Sequence, residues 1–272
     1  MKKIFRIFLF AFTTLTARGQ TDQVSQIKAL IAEQEYEKAL QIIDKLEQPN
    51  NVTYYYKGYC EQQQKFFDRA VTSATAALKV TNKADTLYGA ILALRALCFA
   101  ESGQLDSAIR DNQALLKEFP TNLNYLLNMS YLYGENRQFA ECIDVLQNAL
   151  VLDSSNVYLF NNLSYYSNEM TNYDAAREYA TKGLTLTKDS IWIASLLNNL
   201  GFAQAKSISA DKGLETIQLS ITYRPNNAYA YFNLGRIYIG LKDSEKACKN
   251  FKIARELGGI NLTKEYLKKY CN

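Results

Sequence analysis

The sequence predicts an all-α fold assembled from repeated pairs of antiparallel helices. Three observations carry that expectation. The 272 residues contain only three prolines, so little in the chain breaks helices. Hydrophobic residues make up 48%, enough to build an extended core. Gly201 and Gly213 stand twelve residues apart, and Gly235 and Ala247 repeat the pair thirty-four residues later, with Pro225 twelve after Gly213. A fixed period of that length is the mark of stacked helical repeats.

Residues 1–19 are expected to be separate from the fold. The basic start MKKIFR, the apolar run IFLFAFTTLTA and the small residues Ala17 and Gly19 around Arg18 read as a secretory signal peptide cut near Gly19/Gln20. The apolar run is shorter than the roughly 20 residues of a membrane span, and no later segment reads as transmembrane. The first cysteine is Cys60, so lipid attachment to an N-terminal cysteine is not expected. The expected destination is the periplasm or cell envelope.

The signal changes the charge argument. The whole chain carries 31 Lys and Arg against 27 Asp and Glu, a net +4. Lys2, Lys3, Arg6 and Arg18 lie in the signal, which leaves 27 against 27 in the mature chain. A nucleic-acid partner then has no electrostatic basis. There are no histidines, which removes the commonest general base and metal ligand. No C-x-x-C occurs among the five cysteines, so neither a metal site nor a cofactor is expected. Carboxylate pairs could serve as acid and base, but a regular helical array leaves no room for a catalytic domain, and no catalytic residue is assigned.

Six units follow the period: 51–84, 89–122, 123–156, 157–190, 194–227 and 228–261. Small residues recur at the eighth position of each (Gly58, Ala96, Ser130, Ser164, Gly201, Gly235) and at the twentieth (Ala70, Ala108, Cys142, Ala176, Gly213, Ala247). Two helices can approach closely only where both present small side chains. Position twenty-seven is also mostly small (Ala77, Ala149, Gly183, Ser220, Ala254), with Leu115 the exception. Residues 20–50 read as an N-terminal partial helix pair, and 261–272 as a closing helix that buries Leu262, Tyr266, Leu267 and Tyr270. Repeat arrays need such ends because the last apolar face has no neighbour. About four extra residues (85–88) and three (191–193) interrupt the spacing.

The last unit, AYAYFNLGRIYIGLKDSEKACKNFKIARELGG, resembles the tetratricopeptide repeat at Tyr231, Leu234, Gly235, Tyr238, Ala247, Phe251 and Ala254. The resemblance covers nearly all of the mature chain. Lys57 and Arg95 depart from it where the family has an apolar seventh residue. The resemblance implies a right-handed superhelical solenoid whose first helices line a concave groove, with positions two, five, six, nine, twelve and thirteen facing it.

On that reading position six gives Asn128, Asn162, Asn199 and Asn233 in successive units, and position five adds Asn161 and Asn198. Tyr131, Tyr165, Phe202 and Arg236 stand at position nine, Tyr158 and Tyr229 at position two. Amides offer both a donor and an acceptor to a peptide backbone, and equivalent amides two layers apart are expected roughly 15–20 Å apart. The partner implied is an extended peptide or protein segment. The same amides could instead satisfy neighbouring backbone groups. Glu101, Glu135 and Glu169 share position thirteen, as an acidic strip or as solvated helix ends. The family's clamp for a terminal carboxylate needs lysine at position five, which this chain lacks. The cysteines are expected as buried free thiols, with Cys248 and Cys271 the only pair worth testing.

Three functions fit these observations. The first is a non-enzymatic scaffold that holds a protein segment in its groove. The second is a structural or assembly component of an envelope or secretion complex, touching through its convex face or ends. The third, if the signal is not cleaved, is a cytoplasmic regulator.

Overall fold

The computed structural model describes residues 18–271 and, among them, fifteen α-helices and no strand. The signal read at 1–19 lies outside the described residues except for Arg18 and Gly19, which begin the first helix. The described residues fall into two compact units that divide between Leu132 and Tyr133.

The N-terminal unit holds α1 (Arg18–Ala32), α2 (Tyr36–Ile43), α3 (Asn51–Gln63), α4 (Phe67–Lys79), α5 (Leu87–Glu101), α6 (Leu105–Glu118) and most of α7 (Leu123–Glu135). Helices adjacent in sequence pack as antiparallel neighbours around Ile27, Ile31, Ala39, Tyr55, Ala70, Ala74, Ile91 and Leu94. Asn50 opens α3 with a reciprocal cap: its side chain accepts from Thr53 N–H while Thr53 Oγ1 accepts from Asn50 N–H. Such a cap contributes about 1 kcal/mol.

The two departures from the repeat pattern have partners here. Lys57 reaches Asp44 at 2.6 Å. Arg95 binds the buried Asp111 through two bonds of 2.7 Å each, a fork-to-carboxylate geometry. Charge at the seventh position is therefore answered by an acid on α6 or just beyond the end of α2. Glu61, also buried, accepts from Arg69 at 3.2 Å and from Ser73 at 2.7 Å.

The C-terminal unit holds α8 (Phe139–Leu152), α9 (Val157–Glu169), α10 (Tyr173–Thr185), α11 (Ser190–Ser207), α12 (Ala210–Tyr223), α13 (Ala228–Gly240), α14 (Ser244–Glu256) and α15 (Ile260–Tyr270). The small positions allow backbone contact. A Cβ on Gly201 would stand 2.9 Å from the Gly213 carbonyl oxygen. Ser164 fills the same position in the preceding pair and donates its hydroxyl to the Ala176 carbonyl at 2.7 Å. The extra residues before Ala194 lengthen α11, which runs to eighteen residues.

In the turns between paired helices one residue takes a left-handed conformation: Gln34, Lys65, Gly103, Arg137, Thr171 and Lys242. The turn between α11 and α12 differs. Ile208 occupies the matching place with φ −120°.

At the end of the chain α15 lays Tyr266 against Phe232 and Phe251, with ring centroids 5.0 and 5.1 Å away. Cys248 on α14 and Cys271 just beyond α15 form a disulfide, with Cα atoms 5.3 Å apart. This corrects the favoured expectation of buried thiols throughout, at the one pair singled out for testing. α15 folds back antiparallel on α14 and brings together two cysteines 23 residues apart. Cys60, Cys98 and Cys142 are buried and outside any disulfide, and burial pushes each thiol up to about 12.

Candidate interaction face of the C-terminal unit

The first helices α9, α11 and α13 line up on one face of this unit, and their polar groups are tied to one another. Asn199 donates to the carbonyl and to the side-chain oxygen of Asn161, both at 3.1 Å. Asn233 donates to Asn198 Oδ1 at 3.1 Å. Asn168 donates to the Asn199 carbonyl at 2.9 Å. Asn198 and Asn199 are 3% and 5% exposed, and Asn233 is also buried. These amides knit helix to helix rather than face solvent. Asn161 and Asn162 are half-buried, with Asn161 donating to Asn162 Oδ1 at 3.3 Å.

A second set of contacts skips a helix pair. Arg236 on α13 donates to Glu169 on α9 at 2.8 Å. Tyr229 on α13 meets Tyr165 on α9 edge to face at 6.4 Å. Side chains from alternate pairs touch only if the first helices converge, so this face is concave within the unit. The convergence explains why amides expected as a spaced row bond to one another instead. Phe202 lies beneath, 2% exposed, with the Arg236 guanidinium 4.0 Å from its ring centroid. Lys206 holds its ammonium 5.6 Å from the same ring. Burial, and then the neighbouring Arg236, press the Lys206 pKa below the usual lysine value.

The rim is aromatic. Tyr158 meets Trp192 edge to face at 6.2 Å, and Tyr165 meets Tyr166 at 5.0 Å. Burial raises the Tyr158, Tyr165 and Tyr229 hydroxyls above their ordinary range, so all three stay neutral donors. Of the acidic residues, Glu169 is neutralised by Arg236 and Glu135 is exposed. Asn128, Tyr131 and Glu101 are half-buried in the N-terminal unit.

Trp192 and Asn168 enter this face without having been singled out by position in the repeat. Trp192 lies in the residues that interrupt the period, so the register gives no place for it. Asn168 stands at groove position twelve, where its type is the only available signal. Lys206 was readable at position thirteen, but its place over Phe202 depends on how α11 and α13 converge.

The chain has the tetratricopeptide repeat fold. A family model described as a tetratricopeptide repeat matches residues 216–249, which run from the second half of α12 into α14. A tetratricopeptide repeat protein from Parabacteroides merdae ATCC 43184 is similar in structure, with TM-score 0.70 and 19% identity over 94% of this chain and 100% of that one. The C-terminal part of a TPR repeat-containing protein from Cytophaga hutchinsonii is similar with TM-score 0.65 and 17% identity over 86% and 95%. Among curated proteins none matches the sequence. No helix among the described residues is long and apolar enough to cross a membrane.

Proposed function

We propose that this protein is a non-enzymatic interaction scaffold that holds an extended segment of a partner protein along the face of α9, α11 and α13, in the cell envelope after export. The observation that carries the reading is the concave, ring-lined surface itself. Tyr158 with Trp192, and Tyr165 with Tyr229, present apolar faces beside polar tips, the composition that interfaces favour. Asn161 and Asn162 lie half-buried on the same face and can meet a backbone amide. Export is supported by the signal read at residues 1–19 and by the Cys248–Cys271 bridge, which belongs to oxidising compartments.

The test places a photo-crosslinking amino acid in cells at Tyr229 on the groove, or at the exposed Leu219 on α12. The groove reading expects an adduct from Tyr229 and none from Leu219. The reverse result sinks it and favours assembly through the second helices. That second reading draws on an open cleft of about 540 Å³ bounded by α12, α13 and α14, lined by Leu214, Ile221, Tyr238 and Lys249. Fractionation of the cells tests the compartment: protein confined to the cytosol would overturn export.

A further inference from the structure

We propose that the groove seats an acidic side chain of the partner segment, held between the Lys206 ammonium and the outer edge of Arg236 above Phe202. This rests on the groove reading and adds the chemistry of one subsite to it.

The local charge is unbalanced. Two cations, Lys206 and Arg236, stand over one ring, and the Glu169 carboxylate pairs with Arg236 alone. No carboxylate among the described residues lies within ion-pair distance of Lys206. On Arg236, Nη1 serves both Glu169 at 2.8 Å and Asn233 Oδ1 at 3.3 Å. Its Nε and Nη2 donors have no partner among the described residues. Donors and charge are thus left over at one place.

That place is built to strengthen an ion pair. Phe202 forms an apolar floor beneath both cations, and a low-dielectric surface weakens screening. Lys206 is already partly desolvated beside a like charge, so an incoming carboxylate would relieve a repulsion as well as form a bond. The approach is open. A Cβ built on Gly240 would meet only one atom within 4 Å, the Lys206 Nζ at 3.6 Å.

The occupant is an internal Asp or Glu rather than a chain terminus. Capturing a terminus requires polar groups that hold the last peptide unit beside the carboxylate. The amides in reach of that role are already engaged, Asn233 with Asn198 and Asn199 with Asn161. What remains exposed is cationic and aromatic, which suits a carboxylate on a side chain flanked by apolar residues.

The probe is an array of 12-residue peptides with randomised internal positions, each made as the C-terminal amide and as the free acid, and incubated with the purified protein. Bound peptides should be enriched in Asp or Glu at one register position, and the two terminal forms should bind alike. Changing that Glu to Gln should weaken binding about tenfold, the worth of one charge-assisted hydrogen bond. Lys206→Met should weaken the Glu peptide to the same extent and leave the Gln peptide unchanged. Lys206→Glu should shift the preference at that position to Lys or Arg. Peptides that bind without acidic enrichment, yet lose binding in Tyr229→Ala, overturn the subsite and leave the groove standing. Preference for the free terminal carboxylate alone also overturns it. If no peptide binds, or binding ignores both Tyr229→Ala and Tyr165→Ala, the groove reading fails and the subsite with it.

Discussion

Asn162 and Asn199 hold the same position in successive repeats and do different work. Asn199 is buried and bonds twice to Asn161 across the gap between α11 and α9. Asn162 is half-buried at the rim. Asn199→Ala should lower unfolding stability in urea by about 1–3 kcal/mol, because the Asn161 oxygens lose a buried donor. Asn162→Ala should stay within about 0.5 kcal/mol of the parent. Partner loss in an Asn199 variant would therefore report damage to the fold, and the groove is better tested at Tyr165 and Tyr229. The register of these asparagines is legible in the sequence. Their fate is not, because whether an amide meets solvent or the next helix depends on how closely two first helices converge. Thr171 makes a related point about backbone. It sits exposed with φ 59°, a strained conformation for a β-branched residue. Thr171→Gly should raise the midpoint of thermal unfolding, worth about 1 kcal/mol, whereas the same change at Ile208, with its negative φ, should lower it.

At the scale of the element, α15 is held by rings and by a covalent bond. Tyr266 packs on Phe232 and Phe251, and Cys271 is bonded to Cys248. Unfolded protein should titrate three thiols without reductant and five after reduction, as read by alkylation and intact mass. Closing a loop of this size contributes roughly 3 kcal/mol through the unfolded state. Cys271→Ser should lower stability by about that much, and hydrogen exchange should show the loss first in α15. The closing helix is legible from its apolar side chains. The bridge is only weakly so, since a spacing of 23 residues says nothing until the helices fold back. Lys57 and Arg95 read the same way. Each breaks the repeat visibly, but its partner, Asp44 just beyond α2 or Asp111 on α6, has no shared spacing to reveal it.

At the scale of the whole molecule, the all-α repeat architecture is legible because close packing demands small residues at the same two places in every pair. The interaction face is legible in outline only: periodicity says which side chains share a face and not which ones use each other up. Buried thiols add a dependence on pH. Cys60, Cys98 and Cys142 titrate near 12 when folded and at the ordinary thiol value of 9.0 when unfolded. The unfolded chain therefore binds fewer protons above pH 9. Stability contributed by these thiols is complete below pH 9 and should fall as pH rises toward 12, a trend measurable by urea midpoints and reduced in the Cys142→Ala variant. The covalent bond at the end of the chain also has a mechanical meaning. A pull applied to residue 271 passes through sulfur directly into α14, and the segment between the two cysteines bears no load. In a single-molecule stretching experiment the oxidised protein should extend to a contour about 80 Å shorter than the reduced one. A partner tugging on that terminus would feel the body of the last repeat rather than a helix that peels away.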